Sequence, residues 1–142
     1  MIVIRRLLML GCVLFAAATP AMADEFRPAY LQLRQVDTTS YDVLWKVPAL
    51  DEITTLKVVP IFPEGARALT PVHSSYAAGT AVQRWRVKVD GGLSDKTIEF
   101  SNLSSTRIDA LVRLERVDGS VQLERVLAHD PHFLVKASPS AF

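Results

Sequence analysis

Two stretches of strict alternation constrain this chain more than any other feature. Tyr41, Val43, Trp45 and Val47 interleave with Asp42, Leu44 and Lys46 before Pro48 ends the run. Val82, Arg84, Arg86 and Lys88 interleave with Gln83, Trp85, Val87 and Val89. Strand side chains alternate between two faces, so a period of two collects one set of residues on one side of a sheet. The Tyr41 set is the expected core face. Shorter runs of the same kind are Tyr30–Arg34, Leu56–Phe62, Thr97–Phe100, Ile108–Leu114, Val121–Val126 and Phe133–Val135. Turn chemistry separates them, clearest at Asp90-Gly91-Gly92 and at Asp118-Gly119, the latter a hairpin signal. Pro60 has no amide donor, which predicts an edge strand or a bulge. Glu64 to Gly79 is rich in Ala, Ser, Pro and Gly and reads as the longest loop, with room for a helical turn. No amphipathic helix competes. The pattern predicts one all-β domain, an antiparallel two-sheet sandwich of 7–8 strands, immunoglobulin-like or related.

The N-terminus carries a different message. Arg5 and Arg6 precede an apolar run from Leu7 to Ala18, Thr19-Pro20 breaks it, and Ala21-Met22-Ala23 offers a small-x-small cleavage pattern. That is the layout of a secretory signal peptide, residues 1–23, and its apolar run is shorter than the roughly twenty residues a membrane span needs. The expected location is periplasmic or secreted, with a domain at residues 24–136 and a frayed tail at 137–142. The only cysteine, Cys12, falls inside the signal, so the exported domain is expected to hold no disulfide. Met9-Leu10-Gly11-Cys12 is loosely lipobox-like, but cleavage at Ala23 fits better, because few apolar residues precede Cys12.

Removing residues 1–23 from the 142 leaves 119, with 14 basic against 15 acidic side chains and a formal charge of about −1. A balanced chain of interspersed signs predicts no footprint for nucleic acid or anionic lipid. No later stretch is apolar enough to span a membrane. Chemistry is sparse. There is no thiol nucleophile, no G-x-S-x-G elbow and no Gly-rich phosphate loop, so no catalytic residue, enzyme activity or cofactor is expected. Ser74-Ser75 beside His73 is adjacency, whereas triads assemble in space.

His129-Asp130-Pro131-His132 is the one local cluster of ligand types, and with His73 it names three imidazoles as candidate zinc or nickel ligands. The competing reading is a strand end with an Asp-Pro turn. Tyr41, Trp45 and Trp85 are candidates to line an aromatic cleft, though period-two aromatics more often fill a core. Arg84, Arg86 and Lys88 make a basic stripe that reads first as a solvated strand face, with cross-strand pairs to Glu115 and Glu124, and second as a dock for an acidic partner.

Phe26-Arg27-Pro28-Ala29-Tyr30-Leu31-Gln32-Leu33-Arg34 and Tyr41-Asp42-Val43-Leu44-Trp45-Lys46-Val47-Pro48-Ala49 resemble the opening segments of the HupE/UreJ-like family of hydrogenase/urease accessory-type membrane proteins. Gly92 to Ile98 ahead of Leu103, the run Thr106 to Val117 with Asp109, Leu111, Val112 and Arg113, and Phe133-Leu134-Val135 resemble its later segments. The likeness covers residues 26–135. It implies an extramembrane domain that acts alone or serves a polytopic membrane protein in trans. The family's histidine- and acid-bearing spans have no counterpart among these residues, so neither transport nor a family metal ligand is carried over. The expectation is an exported, non-enzymatic accessory or recognition module; the alternative is a periplasmic nickel- or zinc-binding protein.

Overall fold

The computed structural model describes residues 27–49, 51 and 53–139. The signal-peptide reading lies outside the described residues. Among the described residues ten strands form two sheets. In chain order they are β1 (Ala29–Gln35), β2 (Ser40–Pro48), β3 (Val59–Ile61), β4 (Ala66–Ala68), β5 (His73–Ala77), β6 (Thr80–Val89), β7 (Thr97–Ser101), β8 (Ala110–Glu115), β9 (Val121–Val126) and β10 (His132–Leu134). The large sheet runs β4-β6-β2-β1-β8-β9, with β5 also paired to β6, and the small sheet runs β10-β7-β3. Among the described residues no helix is long and apolar enough to cross a membrane.

The core is built as the alternation requires. Tyr41, Val43, Trp45 and Val47 of β2, Leu31 and Leu33 of β1, Val87 and Val89 of β6, and Val112 and Leu114 of β8 are all buried. They meet Ile98 and Phe100 of β7 and Phe133 of β10. Each such side chain withdrawn from water stabilises the fold by about 1.5–3 kcal/mol before entropy is counted. Trp45 and Phe100 meet at the centre with their rings tilted by 36° and their centroids 5.7 Å apart.

Three details depart from the sequence expectation. β1 and β8 are parallel, pairing Leu31 with Val112 and Leu33 with Leu114, whereas the other strand pairs are antiparallel. The chain leaves the large sheet to build β7 and returns beside β1, and side-chain periodicity carries no information about direction. The stretch expected as the longest loop holds β4 and β5. Both are short and largely exposed, so neither displays a polar–apolar alternation. Finally, the expected frayed tail is tied at its start, because the Ser138 hydroxyl donates to the Asp118 carboxylate.

Local chemistry explains the turns. Asp37 accepts the Thr39 and Ser40 amides at 2.9 and 2.8 Å, closing the link from β1 to β2, and the Thr39 amide is the main reason its carboxyl lies below the ordinary range. Asp118-Gly119 makes the β8–β9 hairpin as expected, with Gly119 at φ +85°. Pro60 lies on the edge strand β3. Opposite it, Phe100 sends its amide towards Pro131 at 3.0 Å, so the Pro60 nitrogen faces away from β7, at the open edge.

Gly92 marks the tightest corner. It has φ +75°, and a Cβ there would sit 2.8 Å from the Thr38 carbonyl oxygen. Beside it the Leu93 amide donates to the Tyr41 hydroxyl at 2.9 Å, while burial pushes that phenol above its usual range. Gly92→Ala combines a left-handed backbone with a clash against main chain. We expect it to cost about 2 kcal/mol or more, read as a fall of roughly 10 °C in the melting temperature followed by circular dichroism.

Candidate functional site

The small sheet is narrower than the large one, and the uncovered part of the inner face becomes a cleft of about 800 Å³. One wall is the end of the large sheet, where Trp45, Gln83, Ser74 and Tyr76 face inward. The other is the segment leading into β3, with Leu56 and Val59 on its rim. Two side chains hold that segment in place. The Trp45 indole N–H donates to the Val58 carbonyl at 3.2 Å, and Asn102 Nδ2 donates to the Lys57 carbonyl at 2.9 Å. Asn102 reaches it from a left-handed conformation at φ 64°, which Asn tolerates better than most residues. The result is an aromatic floor, an aliphatic rim and a few hydroxyl and amide groups. Its size and composition suit a bound ligand or an inserted segment of a partner.

The aromatic expectation resolves into separate roles. Tyr41 is core, Trp45 is both core and cleft floor, and Trp85 packs edge-on against Phe62 with centroids 6.3 Å apart. Sequence reasoning missed the cleft because Trp45, Ser74, Gln83 and Asn102 lie on four distant segments. A signal for it did exist: Pro60 and the turn residues around it mark a sheet edge, where such openings form.

Strand alternation separates His73 from Ser74, since neighbours in β5 point to opposite faces. Ser74 lines the inner cleft, whereas His73 lines a groove of about 680 Å³ on the outer face. His132 opens β10 on the small sheet. Its ring lies 3.1 Å from Asp130 and 3.8 Å from Glu99. His129 sits in the exposed turn between β9 and β10. The three histidines named as ligands are thus divided between two sheets and a turn. Among the described residues no group of three or more His, Cys, Asp or Glu side chains converges to hold a metal.

The basic stripe is part of a wider pattern on the outer face. The expected partners Glu115 and Glu124 are engaged elsewhere, with Arg113 at 3.0 Å and Lys136 at 3.2 Å. The carboxylate that meets the stripe is Asp42, which sits between Arg86 at 2.7 Å and Arg34 at 3.4 Å. The Arg86 hydrogen bond is the main cause holding its carboxyl below the ordinary range. Directly opposed positions in paired strands explain the meeting, since Asp42 faces Arg34 across β1 and Arg86 across β6.

No protein-family model matches the chain, and no curated protein matches it significantly.

Proposed function

We propose that this chain is an exported, non-enzymatic recognition module that serves a polytopic membrane protein in trans, as its resemblance to the extramembrane part of HupE/UreJ-like proteins implies. The observation that carries the reading is the cleft between the β5–β6 end of the large sheet and the tethered segment before β3. It is apolar at its floor and rim, it carries a few hydroxyl and amide groups, and among the described residues no nucleophile–base pair lines it. Such a surface binds and orients; it does not transform. An apolar segment or a loop from a partner suits its volume and chemistry.

The test is photo-crosslinking in the cell from a reactive residue placed at Ser74 or Gln83, with one at Ser104 as a control outside the cleft. We expect the cleft positions to capture one membrane protein of several spans and the control to capture none. Recovery of the chain solely as an uncrosslinked species in the soluble envelope fraction would overturn the proposal.

A further inference from the structure

The pairing register does something to the charges that their number in the sequence conceals. On the outer face of the large sheet, β1 contributes Arg34, β2 contributes Lys46, β4 contributes Arg67, and β6 contributes Arg84, Arg86 and Lys88. The pairs Tyr30–Lys46, Arg34–Asp42, Asp42–Arg86, Leu44–Arg84 and Arg67–Lys88 place all six on one side. One carboxylate, Asp42, lies within that area, and Glu115 stands opposite Arg34 at its border on β8, paired with Arg113. Lys46, Arg67, Arg84 and Lys88 make no ion pair among the described residues. Other acids lie elsewhere: Glu99 and Asp130 at the small sheet, Asp90 and Asp95 in the turn before β7. A chain that is almost neutral in sum therefore has one strongly cationic face.

We propose that this face lies against an anionic membrane surface, its guanidinium and ammonium groups meeting lipid phosphates. Three observations favour a bilayer over an acidic polypeptide. The cations spread across four adjacent strands, about 14 Å at the usual strand spacing, and do not converge on one point. The same face continues over β8 and β9, where Leu123, 58% exposed, and Val121, 46% exposed, stand among Arg113, Glu115 and Arg125. Arginine and lysine beside exposed aliphatic groups match the headgroup–acyl boundary. The groove of about 680 Å³ lined by His73, Arg84 and the Arg34–Asp42–Arg86 cluster has room for a phosphate headgroup beside Arg84. This inference stands apart from the cleft, which opens on the opposite face of the sheet.

Flotation of the exported protein, purified in the form the cell produces, tests it. The vesicles are pure phosphatidylcholine or phosphatidylcholine with about 30 mol% phosphatidylglycerol, at roughly 50 and 300 mM salt. We expect binding only to the anionic vesicles, weakened at least about tenfold by the higher salt or by R84E/K88E. Reversal at the small sheet, E99K, should leave it unchanged. The salt series on the unaltered protein tests the proposal even if the double variant folds poorly. Absence of flotation with phosphatidylglycerol at low salt would overturn it. So would equal binding by a folded R84E/K88E variant, or capture by soluble polyglutamate in preference to the vesicles.

Discussion

Trp45→Ala is expected to lower the folding free energy by about 3–5 kcal/mol, the range for removing a large aromatic side chain from a packed interior. Trp45 is only 2% exposed and packs against the Phe100 ring. It also fixes the segment before β3 through its bond to the Val58 carbonyl. The substitution thus opens a cavity, removes a ring contact and orphans a buried acceptor in one step. Urea denaturation should show the midpoint moving down with little change of slope if unfolding stays two-state. Trp45→Phe separates these effects. It keeps most of the ring, so its main loss is the hydrogen bond plus a smaller cavity, and a cost of about 1–2 kcal/mol is expected. A phenylalanine variant as unstable as the alanine one would mean that the indole N–H dominates. Near-native behaviour from the alanine variant would mean that the two sheets are not held together at this residue.

The second large effect belongs to a polar cluster at the other end of the sandwich. Gln122 is buried on β9 and serves as a clip. Its Oε1 accepts from Arg116 Nη2 and from the Lys136 amide, both at 3.0 Å, and its Nε2 donates to the Leu134 carbonyl at 2.9 Å and to Glu124 at 3.1 Å. Arg116, also buried, donates to the Lys136 carbonyl at 2.8 Å and meets Ser120 at 3.4 Å. β10 is thereby fastened to the edge of the large sheet. Gln122→Ala leaves a buried guanidinium with fewer acceptors and strands an amide and a carbonyl. A loss of about 2–4 kcal/mol is expected. Gln122→Leu keeps the volume but not the bonds, so a comparable loss there assigns the effect to hydrogen bonding. Hydrogen exchange at Phe133 and Lys136 should accelerate in both variants, ahead of amides in β1 and β2.

Much of the architecture was legible from alternation alone. Tyr41, Val43, Trp45 and Val47 could be placed on the core face because burial leaves a period-two record. Asp118-Gly119 announced its hairpin, and Pro60 announced an edge. What escaped was what alternation does not encode. β5 has water on most of its residues, so no pattern distinguishes it from a loop. The parallel pairing of β1 with β8 depends on how the chain travels between the sheets. The three histidines were close only as a list of ligand types, because a sandwich separates residues by sheet and by face. The basic face was half visible: Arg84, Arg86 and Lys88 show as a stripe on one strand, while Arg34, Lys46 and Arg67 join them only through register. The net charge pointed away from anionic surfaces, since a sum over the chain is blind to segregation across a sheet.

Pro60 reaches beyond its own strand. A sheet edge can grow by accepting one more strand, and a second copy of the same chain always has a matching strand to offer. At β3 the position that would donate to such a newcomer holds a ring nitrogen without hydrogen, so the incoming backbone meets an acceptor with no donor beside it. The hydrophobic side chains exposed next to it, Val59 and Ile61, are then left able to touch another molecule through their surfaces while the ladder that would make such contact self-propagating is blocked. One imino acid lets the protein display a sticky edge without becoming the seed of a fibre.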